Sequence, residues 1–510
     1  MKTRLEAHFG DRLVRCFAER PRGLYDLFLQ AIQKNNHGEA LVCNDERLTY
    51  RALEEQVGRV AQGFVERGIE PGDRVALLLG NRSEFVVALL AALRIGAIAV
   101  PLNIREQKPE LAYVLDHCDA SLLIHEPNLE ERLPPVQQRL SVQDFSAVLA
   151  DTLAQPCEIL EERTAAILYT SGTTGRPKGA MLSNLGIVHS AMHFELHMRL
   201  GSADRSIAAV PLSHVTGLVA LIATMLRCAG TLVVMPEFKA AGFLALAARE
   251  RITHTVMVPA MYNLCLLQPD FERHDLSSWR IGGYGGAPMP LPTIARLAES
   301  LPRLGLMNAY GATETTSPAT IMAAADTAAR SDSVGRVVPC GEIAVIDDAG
   351  REVPPGESGE LWIRGPMVVR GYWNDPTATA REFTAGFWHS GDIGSVDAQG
   401  FVRVLDRKKD MINRGGYKVY CAEVESTLLG YPGVVEAAVV AVPCPVLGER
   451  VHAFITVGKG DVTPGALKDH CCAHLSDYKV PETFTIRTDP LPRNANGKIL
   501  KRQLRDTLAK

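Results

Sequence analysis

The sequence predicts an α/β protein with a large N-terminal domain of doubly wound mixed sheets, a small β-barrel-like subdomain and a small α+β C-terminal domain. Three observations lead there. At 510 residues the chain is too long for a single core, so two or more domains are expected. Short, nearly continuous apolar runs alternate with helical patterns over most of its length, as in parallel strands covered on both faces. After about residue 330 the helical patterns give way to closely spaced turn pairs.

Taken in order, "DRVALLL" (73–79) is the first strand candidate, and Ser83 is the expected cap of a helix running to about Leu93. "IAVPL" follows as a strand, then a helix near 109–117, then "SLLIH", which together make a βαβαβ unit. The pattern resumes after residue 164 with "AAILYT", "SIAAVP", "TLVVMP" and "HTVMVP" as strands separated by helical stretches. "GEIAVIDDAG", "SGELWIRG" and "GDIGSVDAQGFVRVLDR" contain little helix and read as a small antiparallel barrel or sheet. From about 407 the chain becomes α+β again, with "EVESTLLG" helical, "EAAVVAVP" and "HAFITV" extended, and a helix near 465–475. The domains are therefore placed at 1–406 and 407–510.

Composition narrows the function classes. Hydrophobic residues at 46% and charged residues at 22% are ordinary for a globular protein, and a net charge of −4 points to neither nucleic acid nor an anionic membrane. The 11 cysteines show no CxxC spacing, which suits free thiols and a cytoplasmic location. "MKTRLEAHFGDRLVRC" lacks the apolar centre of a signal peptide. Two apolar stretches, one broken by Arg94, Gly96 and Pro101 and the other by Pro211, His214 and Gly217, read as buried strand and helix, so no membrane span is expected. His470 and His474 share a helical face, but no other ligand cluster lies near them in sequence, so a metal there is not favoured.

"LYTSGTTGRPKGA" (168–180) carries most of the chemistry. It differs from GxxxxGK[ST], and Pro177 disfavours a helix through Lys178. What remains is a loop rich in hydroxyls and backbone N–H groups with a cation, suited to polyphosphate held transiently; a solvated turn is the plainer alternative. The loop resembles the phosphate loop of the adenylate-forming (AMP-binding) acyl-CoA synthetase superfamily. Further motifs of that family follow in order: "LTYRAL" (48–53), "PLSHVTG" (211–217), "NAYGATE" (308–314), "GELWIRG" (359–365), "HSGDIG" (389–394), "LDRKKDMINRGGYKVYCAEVE" (405–425) and "NANGKILK" (494–501). The resemblance covers essentially the whole chain.

The resemblance implies an ATP-dependent acid:CoA ligase that forms an acyl-AMP and releases AMP and pyrophosphate, with ATP, Mg²⁺ and coenzyme A as cofactor and co-substrates. The alternative is a stand-alone adenylating enzyme that loads a carrier protein. It implies that Ser171, Gly172, Thr173, Thr174, Gly175 and Lys178 hold the β- and γ-phosphates, that Thr313 touches the α-phosphate and that Glu314 holds Mg²⁺. Asp392 would accept both ribose hydroxyls and Arg407 would add a nucleotide contact, while Gly286, Ala287, Pro288, Asn308, Tyr310 and Gly311 would frame the adenine and its surroundings. Lys498 would bridge the substrate carboxylate and the phosphate as charge shifts between them. Lys409 aligns with a hinge of a mobile C-terminal domain, and Gly415, Gly416 and Tyr417 with a loop on the coenzyme A side. Lys418 stands where many relatives carry Arg or Gln, which leaves its phosphate role open.

For the acid, family position puts His214, Val215, Thr216 and Leu218 on one pocket wall and Tyr284 and Gly285 on another, with His214 also a catalytic candidate. Amino-acid-activating relatives carry an Asp where this chain has Val215, so α-amino acids are not expected. The mostly neutral wall points to an apolar acid, medium-chain or aryl, with Tyr284 setting the depth if it points inward. Oligomeric state is left open, a homodimer being one option.

Overall fold

The computed structural model describes residues 1–171, 176–458, 462–493 and 499–508, with Ser171 described by its backbone alone. Gly172, Thr173, Thr174, Gly175, Lys498 and the side chain of Ser171 therefore lie outside the described residues. The chain divides into two compact units, Met1–Ile343 with Trp362–His389, and Ala344–Leu361 with Ser390–Lys510.

The first unit holds two mixed sheets. One has six strands, in the order Pro177–Ser183, Thr164–Ser171, Ile98–Pro101, Arg74–Leu78, Ala120–His125 and Arg139–Ser141. Arg74–Leu78 pairs in parallel with both Ile98–Pro101 and Ala120–His125, as expected of βαβαβ crossovers. Its residues alternate between two cores: Val75 and Leu77 join the main cluster, Ala76 and Leu78 a second one. Burial on both faces explains why this strand shows no polar alternation.

The other sheet has nine strands, with a parallel centre running from Gly305–Tyr310 through Ile281–Tyr284, His254–Met257, Arg205–Ala208 and Thr231–Val234 to Glu39–Cys43. Both sheets share the main core with the helices Leu24–Asn35, Tyr50–Glu66, Ser83–Arg94 and Asn184–Met198. "LTYRAL" is the start of one of them: Thr49 Oγ1 accepts from Ala52 N at 3.2 Å and caps Tyr50–Glu66.

One expectation is corrected. Ser83 is the first helical residue rather than the cap; it is 4% exposed, and Arg82, extended at φ −159°, precedes it without a side-chain cap. The apolar stretch after "PLSHVTG" is a π-helix, Thr216–Ala223, continuing into an α-helix, Thr224–Cys228. Arg94, which interrupts the other apolar stretch, is buried but satisfied by Ala154 O and the Tyr25 hydroxyl, both at 2.6 Å. Among the described residues no helix is long and apolar enough to cross a membrane.

An N-terminal hairpin, Thr3–His8 with Arg12–Phe17, was not foreseen from the sequence. A five-stranded sheet containing Glu342–Ile346, Gly359–Arg364, Phe383–Thr384, Phe387–Val396 and Val402–Arg407 forms the small β subdomain. In the second unit, Tyr417–Val419, Ile412–Arg414, Gly448–Val457, Val434–Cys444 and Thr483–Arg487 form a further sheet, with the helices Cys421–Leu429 and Pro464–His474 supplying core residues such as Val424, Leu428 and Leu467.

Candidate active site

The strands on either side of the glycine-rich stretch pair with each other. Thr164–Ser171 and Pro177–Ser183 pair antiparallel with Lys178 opposite Thr170, so a strand, not a helix, follows the loop, consistent with Pro177. The segment 371–373 lies along the far side of that strand: Trp373 N donates to Gly179 O at 2.7 Å, and Met181 N to Gly371 O at 3.2 Å. The backbone on either side of Lys178 is thereby fixed.

Lys178 is 8% exposed, and its ammonium donates to Glu382 Oε2 at 2.5 Å and to the Tyr372 hydroxyl at 3.3 Å, while lying 4.3 Å from the centre of the Tyr372 ring. The Tyr372 hydroxyl is also 2.7 Å from Glu382 Oε2 and 3.1 Å from Glu314 Oε1. A phenol has one proton, and ionised carboxylates only accept, so it can donate to one of the two acids at a time. Burial, followed by the charges of Glu314 and Glu382, raises the pKa of Tyr372 far above the usual phenol range. For Glu382, burial is the largest single influence and pushes upward, but hydrogen bonds from Arg381, Lys178 and Tyr372 outweigh it and hold the carboxyl below the ordinary value.

Glu314 sits in the 3₁₀ turn Thr313–Thr315 and is 7% exposed. Thr170 Oγ1 lies 3.3 Å from its Oε1. An acid with oxygen neighbours and a contested phenol proton is a donor set that suits a hard cation such as Mg²⁺. The backbone around it is tied by Val369 N donating to Glu314 O at 2.9 Å. Arg12 holds the same segment from the N-terminal hairpin, donating to Val368 O, Val369 O and Arg370 O at 3.2, 3.0 and 3.0 Å.

Asn308 and Thr313 are buried near the end of Gly305–Tyr310 and in the turn beyond it. Gly285 lies against the neighbouring strand, where an added Cβ would sit 2.4 Å from Ala309 O, so only glycine fits. Gly286, Ala287 and Pro288 follow in the loop leading to Leu291–Ser300. Tyr284 is 3% exposed; burial lifts its phenol to about 12, opposed by a hydrogen bond with Asn308. Val215 and Leu218 are buried in the main core and Thr216 is half-buried, whereas His214 is exposed with Nδ1 3.3 Å from Thr216 Oγ1. The Thr320 hydroxyl donates to Val334 O at 2.6 Å.

In the second unit Asp392 and Arg407 are cross-strand partners on Phe387–Val396 and Val402–Arg407. Arg407 Nε lies 2.8 Å from Asp392 Oδ1, and Ser390 Oγ accepts from Asp392 N at 3.0 Å. Asp392 is 4% exposed. Lys409 is exposed in the turn after Val402–Arg407. Gly415 and Gly416, at φ +60° and +92°, form the two-residue turn between Ile412–Arg414 and Tyr417–Val419, a conformation glycine adopts readily. Tyr417 is 61% exposed and stacks on Tyr478 at 4.9 Å. Lys418 Nζ is 3.6 Å from Asp348. His470 Nε2 lies 3.0 Å from Thr427 O, a hydrogen bond rather than a metal ligand geometry.

Lys178, Glu314, Asp392 and Arg407, which the sequence singles out, each stand in a polar cluster. The sequence does not single out Thr170, Tyr372, Glu382 and Arg12. Tyr372 directly follows a glycine a few residues beyond "GELWIRG", a weak signal; Glu382 ends a short helix, Pro376–Glu382, and nothing local marks it.

The family description "AMP-binding enzyme" matches residues 28–373, and "AMP-binding enzyme C-terminal domain" matches 423–498. Feruloyl-CoA synthase of Amycolatopsis sp is 35% identical over 489 residues, covering 95% of this chain and 99% of that protein. The long-chain-fatty-acid–CoA ligase of Mycobacterium tuberculosis is 33% identical over 476 residues, covering 91% and 93%. The solved structure of o-succinylbenzoate coenzyme A synthetase from Bacillus subtilis, in complex with ATP and magnesium ion, superposes with a TM-score of 0.85 at 30% identity, covering 94% of this chain and 98% of that one.

Proposed function

The chain belongs to the AMP-binding enzyme family and is an AMP-forming acid–CoA ligase, and on that footing we propose that it activates an apolar acid, medium-chain or aryl, through an acyl-adenylate. The observation that carries the site assignment is the buried meeting of Lys178, Glu314, Tyr372 and Glu382 beside the glycine-rich hairpin. A cation and a carboxylate side by side are what a metal–polyphosphate needs.

A carboxylate is a poor acyl donor because its leaving group would be oxide. Attack by its oxygen on the α-phosphate of ATP yields a mixed anhydride whose leaving group is AMP. Two anions must approach, so positive charge has to be positioned where they meet. In this reading Lys178 and the hydroxyls of the loop hold the β- and γ-phosphates, and Thr313 touches the α-phosphate. Glu314 would hold Mg²⁺, which neutralises phosphate charge when bound. Asp392, steadied by Arg407, accepts the ribose diol, and Lys498 bridges the carboxylate and the phosphate during bond formation. Rotation at Lys409 then brings Gly415, Gly416 and Tyr417 to the thioester-forming step, with coenzyme A as the thiol.

Relatives acting on feruloyl and long-chain fatty acyl groups support an apolar acid. So does Val215 in place of an acidic residue, since an unpaired ammonium would be costly there. The test is acid-dependent AMP formation with coenzyme A across aryl acids and straight-chain acids from acetate to palmitate, with carrier proteins substituted for coenzyme A in parallel. Turnover confined to short polar acids would refute the apolar assignment, and thioester formation on carrier protein alone would refute coenzyme A as acceptor.

A further inference from the structure

We propose that Glu382 is a positioning residue for the nucleotide: it holds Lys178 while no polyphosphate is bound and yields it to the β- and γ-phosphates, so ATP and pyrophosphate bind in competition with it. This rests on the reading of Lys178 as the holder of those phosphates.

The contact has the chemistry of that competition. Glu382 Oε2 offers Lys178 an anionic oxygen at 2.5 Å, the same kind of partner a phosphate oxygen would be. The glutamate is well placed for this by local structure. Asp375 caps its helix, accepting from Ala378 N at 2.8 Å, and Thr379 Oγ1 accepts from Tyr372 N at 2.9 Å, so the helix and the tyrosine are locked together. Arg381 occupies the other carboxylate oxygen at 2.7 Å, leaving Oε2 for Lys178 and Tyr372. On the lysine's side the backbone is fixed by the hairpin and by Trp373, so changing partner requires only rotation of the side chain. The centre of the Tyr372 ring lies 4.3 Å from the ammonium and adds a second attraction to it.

Removing the competitor raises the fraction of molecules whose lysine is free to receive phosphate. If Lys178 is held by Glu382 about nine-tenths of the time, the apparent affinity for a polyphosphate is reduced about tenfold. AMP has no β- or γ-phosphate and is unaffected. A merely structural ion pair would not discriminate among these three ligands.

The experiment is equilibrium binding of ATP with Mg²⁺, of pyrophosphate with Mg²⁺ and of AMP to the full chain, comparing wild type, Glu382→Gln, Glu382→Ala, Lys178→Ala and the Lys178→Ala/Glu382→Gln double variant. Both Glu382 variants are expected to bind ATP and pyrophosphate about tenfold more tightly with AMP unchanged, and the gain is expected to vanish when Lys178 is absent. Unchanged or weaker ATP binding in Glu382→Gln, an equal gain for AMP, or a gain that survives Lys178→Ala overturns the proposal. Lys178→Ala alone reports on the underlying reading. If it binds ATP as well as wild type, both fall; if it binds weakly while Glu382→Gln is unchanged, only the role of Glu382 falls.

Discussion

Replacing Asp392 by alanine tests how the nucleotide's sugar is held. Arg407 Nε lies 2.8 Å from Oδ1 of Asp392, and a carboxylate has two oxygens with which to accept the two hydroxyls of a vicinal diol. Hydrogen bonds to a charged group contribute about 1.5–3 kcal/mol each. Two at the lower bound give about 3 kcal/mol, or about a hundredfold in Kd. The lower bound leaves room for what each partner loses on giving up water, a loss that is small for Asp392, already 4% exposed in the free protein. Arg407, whose side chain is 45% exposed, is rehydrated when its partner is removed and adds little to the effect. The assay is equilibrium titration with AMP and ATP, and pyrophosphate binding in parallel. Asp392→Ala is expected to weaken AMP and ATP about a hundredfold and leave pyrophosphate unchanged. AMP affinity within about threefold of wild type, or an equal loss for pyrophosphate, refutes the assignment of the diol to Asp392.

Lys498→Ala is expected to abolish acid-dependent pyrophosphate release while sparing thioester formation from supplied acyl-AMP, and Lys409→Pro to do the reverse; equal loss of both half-reactions in either variant contradicts its assigned role. Tyr284→Ala is expected to extend the accepted acids to longer chains in a kcat/KM panel, and an unchanged length profile would show that the tyrosine does not limit the pocket. Burial depresses His189 and His254 from 6.5 to about 4 in the fold, so both stay neutral where the unfolded chain takes up protons. Their contribution is complete above pH 6.5 and is lost as pH falls towards 4, at about 1.4 kcal/mol per pH unit for each histidine. His254→Gln should therefore flatten the dependence of the melting midpoint between pH 7 and 4.5, and an unchanged slope would place the titration elsewhere.

What the sequence made legible follows from how local each signal is. Pro177 barred a helix after the glycine-rich loop by a rule that concerns one residue and its neighbours, and the hairpin agrees with it. The strand at Arg74–Leu78 was readable because burial on both faces makes the run apolar throughout. At Thr216–Ala223 the sequence showed a buried helix but not its π turn: Gly217 through Ala223 are all buried, so no polar face remained from which to read the helical period. Ser83 misled because capping preference is weak against packing; the hydroxyl went into the interior with its helix. Glu382 meets Lys178 across 204 positions, and Arg12 reaches Val368 across 356, pairings that tertiary structure alone creates. Motif order located the residues expected to touch the nucleotide, whereas those that hold these residues in place left no local mark.

An acid–CoA ligase has to release pyrophosphate while retaining AMP on the acyl group, so the two halves of ATP need grips that can be undone separately. The residues assigned to them differ in kind. The proposed acceptor of the diol is a buried carboxylate on a strand pair, braced by Arg407. The proposed holder of the polyphosphate, beside the loop hydroxyls, is a lysine on a fixed backbone with an acid and an aromatic ring next to its ammonium. A lysine suits an exchange of partners because its ammonium is a point charge that donates to oxygens in several directions, whereas arginine's planar fork is specific to paired acceptors. In the proposed reading, once the α–β bond of ATP breaks, pyrophosphate no longer shares the hold on the ribose. The return of Lys178 to Glu382 then favours its departure, while the hold of Asp392 on the ribose is untouched. Weak, reversible binding on one side and rigid binding on the other is thus the arrangement that the order of product release requires.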